Sequence, residues 1–377
     1  MAKSISEKNK IIQSVFTPVA AILFGLAVGA LIMLAVGTDP LFAYKEMFGK
    51  SFLNPYYLGQ TIVRSLPIML SGVAAAVAWR AGYINLGMQG QMCVGGLCAA
   101  LVALFFPVKA WWVTIICFAV GSIAGAIWAL IPTFFDYKYN ASLIITTLML
   151  NYATNFLTDF FVTGPIKDTA GDGMAQQSPQ IAECMRFFRF SNKNAMNTSV
   201  FLGIIVVILI HFFLKKSRFG YESKITGLNR SFADYGGIKS GKMMFTTMGL
   251  SGALCGFAAC IEIFGARYRY IGAMFTSTGY SWTGLMAMLI AAYNPIMTLV
   301  YSILLSGLTI GGQALQRTVG LPMQISDIIQ AVITVFVSVK VLIDFKWLFR
   351  DKKRPGPETG VAIGSETTGK SKEEVKK

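Results

Sequence analysis

Amides set among glycines and apolar runs are the residues of this chain with chemistry to offer. Arg80 to Gln91 reads RAGYINLGMQGQ and puts Asn85, Gln89 and Gln91 beside Gly82, Gly87 and Gly90. An amide in or near a membrane is costly unless it is paired or faces water. Glycine-broken segments between apolar runs line substrate paths in transporters. An ordinary polar turn accounts for the same letters, and both readings stand at this level. A second polar set, Asn151, Asn155 and Asp159, falls at i, i+4 and i+8 and so shares one face of a helix. Such a stripe faces a partner helix or a cavity, not lipid. Arg64, Asp159 and Glu262 sit toward the ends of their apolar runs, where a structural ion pair is expected rather than a proton relay.

Other chemistry is excluded by what is missing. The one histidine, His211, has no second His and no nearby Asp or Cys to make a catalytic or metal set. Five of the six cysteines lie in apolar stretches and the sixth, Cys184, stands alone in a polar loop, so neither zinc spacing nor a loop disulfide is present. Gly364 to Ser371 fits the G-x-x-x-x-G-K-[ST] phosphate-loop pattern. That pattern works only between a buried strand and a helix of an α/β domain. Six residues follow it here, so no nucleotide site and no cofactor is expected in the chain itself.

The elements that must carry these residues are membrane helices. The 377 residues are 54% hydrophobic and only 14% charged, against about 25% charged in soluble domains; mean hydropathy is +0.58. Apolar runs near the length that spans a bilayer recur along the chain. About ten are expected, at about 15–36, 58–79, 92–107, 110–131, 142–162, 200–214, 243–264, 282–292, 295–310 and 328–345. The eighth is too short to cross unless the polar segment before it dips in. The fold class is therefore all-α, a polytopic membrane protein. Residues 1–14 form a polar N-terminus, 15–346 the membrane domain, and 347–377 a charged tail without apolar periodicity, read as disordered. The net charge of +15 sits in loops and tails, which the positive-inside rule explains without nucleic acid.

Ser71 to Ala78 resembles Ser251 to Ala258, five spans apart and hence opposite in direction. Two five-helix halves in inverted repeat would produce that pattern. Shared small-residue packing surfaces would produce it too.

The most polar block between the termini, 215–242, holds Lys215, Lys216, Arg218, Lys224, Arg230, Lys239 and Lys242 against Glu222 and Asp234. It marks the cytoplasmic face, and with ten spans both termini lie there too. At its centre a short helix is expected over 229–235, bracketed by Gly227 and the pair Gly236-Gly237. A short helix punctuated by glycines suggests a docking surface.

Four stretches resemble the permease subunits of bacterial ABC importers, in the branch serving simple sugars, nucleosides and branched-chain amino acids. They are Ala81 to Gln91 (AGYINLGMQGQ), Thr146 to Tyr152 (TTLMLNY), Gly227 to Ile238 (GLNRSFADYGGI) and Leu250 to Ala258 (LSGALCGFA). The combination is most similar to nucleoside-type permeases, with Gln89 standing where the family usually has Glu. The resemblance implies a pathway in the inner membrane formed with a second permease subunit, identical or not. It implies an ATPase partner that holds ATP and magnesium, and an extracytoplasmic binding protein that delivers the substrate. Gly227, Asn229, Arg230, Ala233, Tyr235, Gly236, Gly237 and Ile238 would then couple to the ATPase. For a nucleoside, Tyr83, Tyr152 and Trp282 are aromatic candidates for the base; Asn85, Gln89, Gln91, Asn151 and Asn155 are amide candidates for base edges or ribose. The alternatives are a simple sugar or branched-chain amino acid as cargo. An ion-coupled secondary transporter is weakened by the missing ionisable residue deep in a span.

Overall fold

A computed structural model describes residues 22–170, 175–190, 194–320, 324–325, 327–332 and 335. Its helices begin with α1 (Ile22–Ala35), α2 (Pro40–Phe48), α3 (Pro55–Arg80), α4 (Met88–Phe105), α5 (Val113–Tyr139) and α6 (Leu143–Thr163). They continue with α7 (Ser199–Lys216), α8 (Arg218–Leu228), α9 (Arg230–Tyr235), α10 (Ser240–Glu262), α11 (Met274–Ser277), α12 (Tyr280–Ile290) and α13 (Pro295–Val319). One device starts three of them. Asp39, Asn54 and Asn294 each accept the amide two residues on, from Leu41, Tyr56 and Ile296, at 3.0, 3.0 and 3.1 Å. The prolines that follow take the first helical position, where no amide is needed.

Among the described residues, six helices are long and apolar enough to cross a membrane: α3, α4, α5, α7, α13 and α10 extended by the π turn Ile263–Arg267. α6 has the length, 21 residues, but carries the polar stripe. The expected spans between 58 and 310 each fall on a helix. The first lies partly and the tenth largely outside the described residues, as do residues 1–14, the tail 347–377 and the phosphate-loop pattern. Two boundaries shift. α4 begins at Met88, so Gln89 and Gln91 belong to its first turn rather than to a broken segment. The eighth expected span falls on α12, the short α11 precedes it, and Met274, Phe275 and Tyr280 within them are buried.

α3 and α10 pack on each other at the centre. Around them the plan is exchanged between halves: α3 lies on α12 and α13, and α10 on α4 and α5. Equivalent residues do equivalent work. The Ser71 hydroxyl donates to the Tyr280 carbonyl at the start of α12 (3.2 Å), while Ser251 accepts from Asn85 just before α4 (2.9 Å). An inverted repeat would produce this exchange of neighbours.

Glycines set the helix spacing. A Cβ on Gly256 would run into the Gly121 carbonyl of α5, and one on Gly95 would lie 2.6 Å from the Gly256 Cα. With lipid as apolar as leucine, close packing is what holds such helices together. Gly256→Val is expected to cost about 2 kcal/mol, read as a lower thermal midpoint of the purified protein; an unchanged midpoint would show that α5 and α10 can separate freely.

The end of the bundle bearing 215–242 is called the basic end below. At the opposite end, residues 175–190 and 194–197 cover the chain that follows α10. Ser178 and Ile181 donate backbone amides to Tyr270 and Tyr268, both at 2.8 Å. Arg186 and Arg189 stack on the Tyr268 ring, at 4.9 and 5.0 Å from its centroid.

Candidate functional site

The amides divide into a closed group and an open one. Asn85 Oδ1 accepts from the Gly87 amide (2.9 Å) and from Gln91 Nε2 (3.0 Å). Its Nδ2 donates to Gln91 Oε1 (3.0 Å) and to the Ser251 hydroxyl (2.9 Å). Two donors and two lone pairs are the whole capacity of the side chain, and all three residues are buried. Asn151, also buried, bridges the same region from α6: it accepts from the Gly90 amide (2.8 Å) and donates to the Leu86 carbonyl (2.9 Å). These amides tie α4, α6 and α10 to the break before α4.

The open group lies nearby. Gln89 donates to the Thr276 hydroxyl (3.0 Å), which donates to Asn155 Oδ1 (2.8 Å). Thr276 is exposed and Asn155 half-buried. One turn further along α6, Asp159 keeps a buried oxygen without a partner, and Trp128 Nε1 is likewise unpaired. Tyr152 and Trp282 stand on exposed faces of α6 and α12.

The expected pairing among Arg64, Asp159 and Glu262 is different in the fold. Glu262 pairs with Arg267 and accepts from the Tyr280 hydroxyl, both at 3.0 Å. Arg64 stacks on the Tyr280 ring, 5.5 Å from its centroid. Among the described residues no group of three or more His, Cys, Asp or Glu could hold a metal.

At the basic end Asn229 is extended, with φ −159°, and separates α8 from α9. Its side chain accepts the Phe232 amide (3.0 Å) and so starts α9 over the stretch expected from the sequence. α9 ends at Gly236, whose amide donates to Phe232 (3.0 Å), and at Gly237, whose φ of +81° suits glycine. Ala233 is buried and Ile238 half-buried, whereas Leu228 and Phe232 are exposed and Tyr235 is 94% exposed. Arg230 Nε reaches the Ser240 hydroxyl at 3.3 Å. Gly227 seats the end of α8 directly on the Arg80 carbonyl, where no Cβ would fit. A cavity of about 410 Å³ opens between α8–α9 and the break before α4, lined by Tyr83, Asp136, Asn229 and Arg230 among others. Tyr83 belongs to this layer: its hydroxyl donates to the Ser240 carbonyl at 2.9 Å. Burial pushes the phenol up from its usual range, so it remains a donor.

Ser240, Ser251 and Thr276 escape a reading of the sequence. Serine and threonine in small-residue stretches are too common to stand out, and each matters here through a partner distant in sequence. α8 is a further helix within 215–242 that composition did not disclose.

Residues 57–338 match the family described as branched-chain amino acid transport system / permease component. The chain belongs to this permease family. The permease is 28% identical over 342 residues to the guanosine ABC transporter permease NupP of Bacillus subtilis, covering 89% of this chain and 96% of that one. It is 27% identical to the nucleoside ABC transporter permease NupB of Lactococcus lactis, with 89% and 94% covered. A glucose ABC transporter permease of Haloferax volcanii is also 27% identical, with 85% and 86% covered.

Proposed function

We propose that this permease forms the translocation pathway of an ABC importer for nucleosides, with ATP hydrolysed on a separate subunit. The observation that carries the cargo is the near full-length similarity to two permeases named for guanosine and nucleosides. The polar groups at this end of α4 fit that cargo: the amides of Gln89 and Asn155 and the Thr276 hydroxyl offer donors and acceptors for ribose hydroxyls and base edges, and Tyr152 and Trp282 offer rings for the base. Asn85, Gln91 and Asn151 hold the scaffold. The similarity to a glucose permease favours a sugar as the second reading. Uptake of labelled guanosine into vesicles holding the assembled transporter decides between them. Competition by glucose and not by other nucleosides would overturn the nucleoside assignment.

The basic end faces the cytoplasm by its cations, and α9 seats the ATPase. Leu228, Phe232 and Tyr235, exposed on a short capped helix, suit a cleft on that partner. A second permease subunit completes the pathway, and an extracytoplasmic binding protein supplies it. Arg230→Glu is expected to lower transport about tenfold, within the usual range of coupling energies, while insertion into the membrane is kept. Wild-type transport in this variant would remove α9 from the ATPase interface.

A further inference from the structure

One residue joins α9 to the interior. Asp234 accepts from both the amide and the hydroxyl of Ser240, each at 3.1 Å, and Arg230 adds the 3.3 Å bond to that hydroxyl. Ser240 accepts the Tyr83 hydroxyl at its carbonyl. Beside this, the backbones of Gly82 and Gly227 abut: Gly82 has a φ of +85°, and a Cβ on it would lie 3.3 Å from the Gly227 Cα. α9 and the break before α4 are therefore held as one piece.

The same break reaches deep into the bundle. Ser251, which accepts from Asn85, lies about 16 Å along α10 from Ser240 at the helical rise. Asn151 grips Leu86 and Gly90 from α6. α6 packs chiefly on α4 and α5 and bears Asn155 of the open group. A displacement of α9 thus has a bonded route to α6: Asp234, Ser240, Tyr83, the turn through Asn85 and Leu86, then Asn151. The side chains of Asp234, Ser240, Tyr83, Asn85 and Asn151 are each hydrogen-bonded along it, which leaves little slack.

We infer that residues 83–86 are the transmission element between the ATPase seat and the pathway helix α6, with Tyr83 as its positioning residue. The inference rests on the reading of α9 as that seat. It moves Tyr83 from contact with the cargo to coupling.

The test is the amount of guanosine moved per ATP hydrolysed by the assembled transporter in liposomes. Tyr83→Phe removes one oxygen and is expected to lower this ratio about tenfold with the ATPase still bound. Combined with Asp234→Asn it should lower the ratio no further, because both break one route. A wild-type ratio in Tyr83→Phe, or losses that multiply in the double variant, would overturn the inference. Should Tyr83→Phe fail to assemble, Asn151→Ser with Asp234→Asn runs the same cycle with the same two outcomes. Full coupling in Arg230→Glu would instead overturn the seat itself. Loss there, with Tyr83→Phe normal, removes only the route.

Discussion

Asn85→Leu is expected to destabilise the permease by about 4 kcal/mol, the sum of a few orphaned buried groups at about 1–3 kcal/mol each. Leucine fills the space but leaves the Gly87 amide, both ends of the Gln91 amide and the Ser251 hydroxyl without their partner. None of these can reach water, since Asn85, Gln91 and Ser251 are all buried. Gln91→Leu should cost less, about 2 kcal/mol, because Asn85 keeps Gly87 and Ser251. The double variant should be more stable than Asn85→Leu alone, since removing both partners removes the stranded amide. Thermal midpoints of the purified proteins in one detergent give the order directly. Equal midpoints for the two single variants would mean that the amides do not act as a closed set.

That set shows where the sequence stops being readable. The helices were legible because apolar runs of spanning length have few other uses, and α9 because glycines bracket it. The fate of each amide was not. Asn85 and Gln91 are six apart, and they meet only because Gly87 ends the break and starts α4 between them. Asn85's further partner Ser251 is on α10, far along the chain, with no polar pattern to mark it. Asn151 and Asn155 share a face of α6, yet one turn of depth separates a bridge to Leu86 and Gly90 from a bond to Thr276. Helical spacing identifies a face; what lies opposite it is decided by tertiary packing.

The ion pair at the other end of α10 was hidden for a local reason. Glu262 and Arg267 are five apart, and continued α-helix would turn them well away from each other. The π turn Ile263–Arg267 widens the helix and brings them to 3.0 Å. The two partners differ in burial, which fixes the second large effect. Glu262 is 3% exposed and Arg267 39%. Arg267→Leu strands a buried carboxylate and is expected to cost about 3 kcal/mol, the low end for breaking a buried pair. Glu262→Leu strands a cation that can reach water or headgroups along its own stem, and should cost less, about 1 kcal/mol. Tyr280 sharpens the contrast, because its hydroxyl already donates to Glu262 and cannot replace the lost charge. With both residues replaced, the loss should fall below that of Arg267→Leu alone, as expected when a stranded charge rather than a missing attraction sets the cost. Midpoints measured for the three variants test this. An Arg267→Leu variant no less stable than Glu262→Leu would place the carboxylate in contact with water and reverse the assignment.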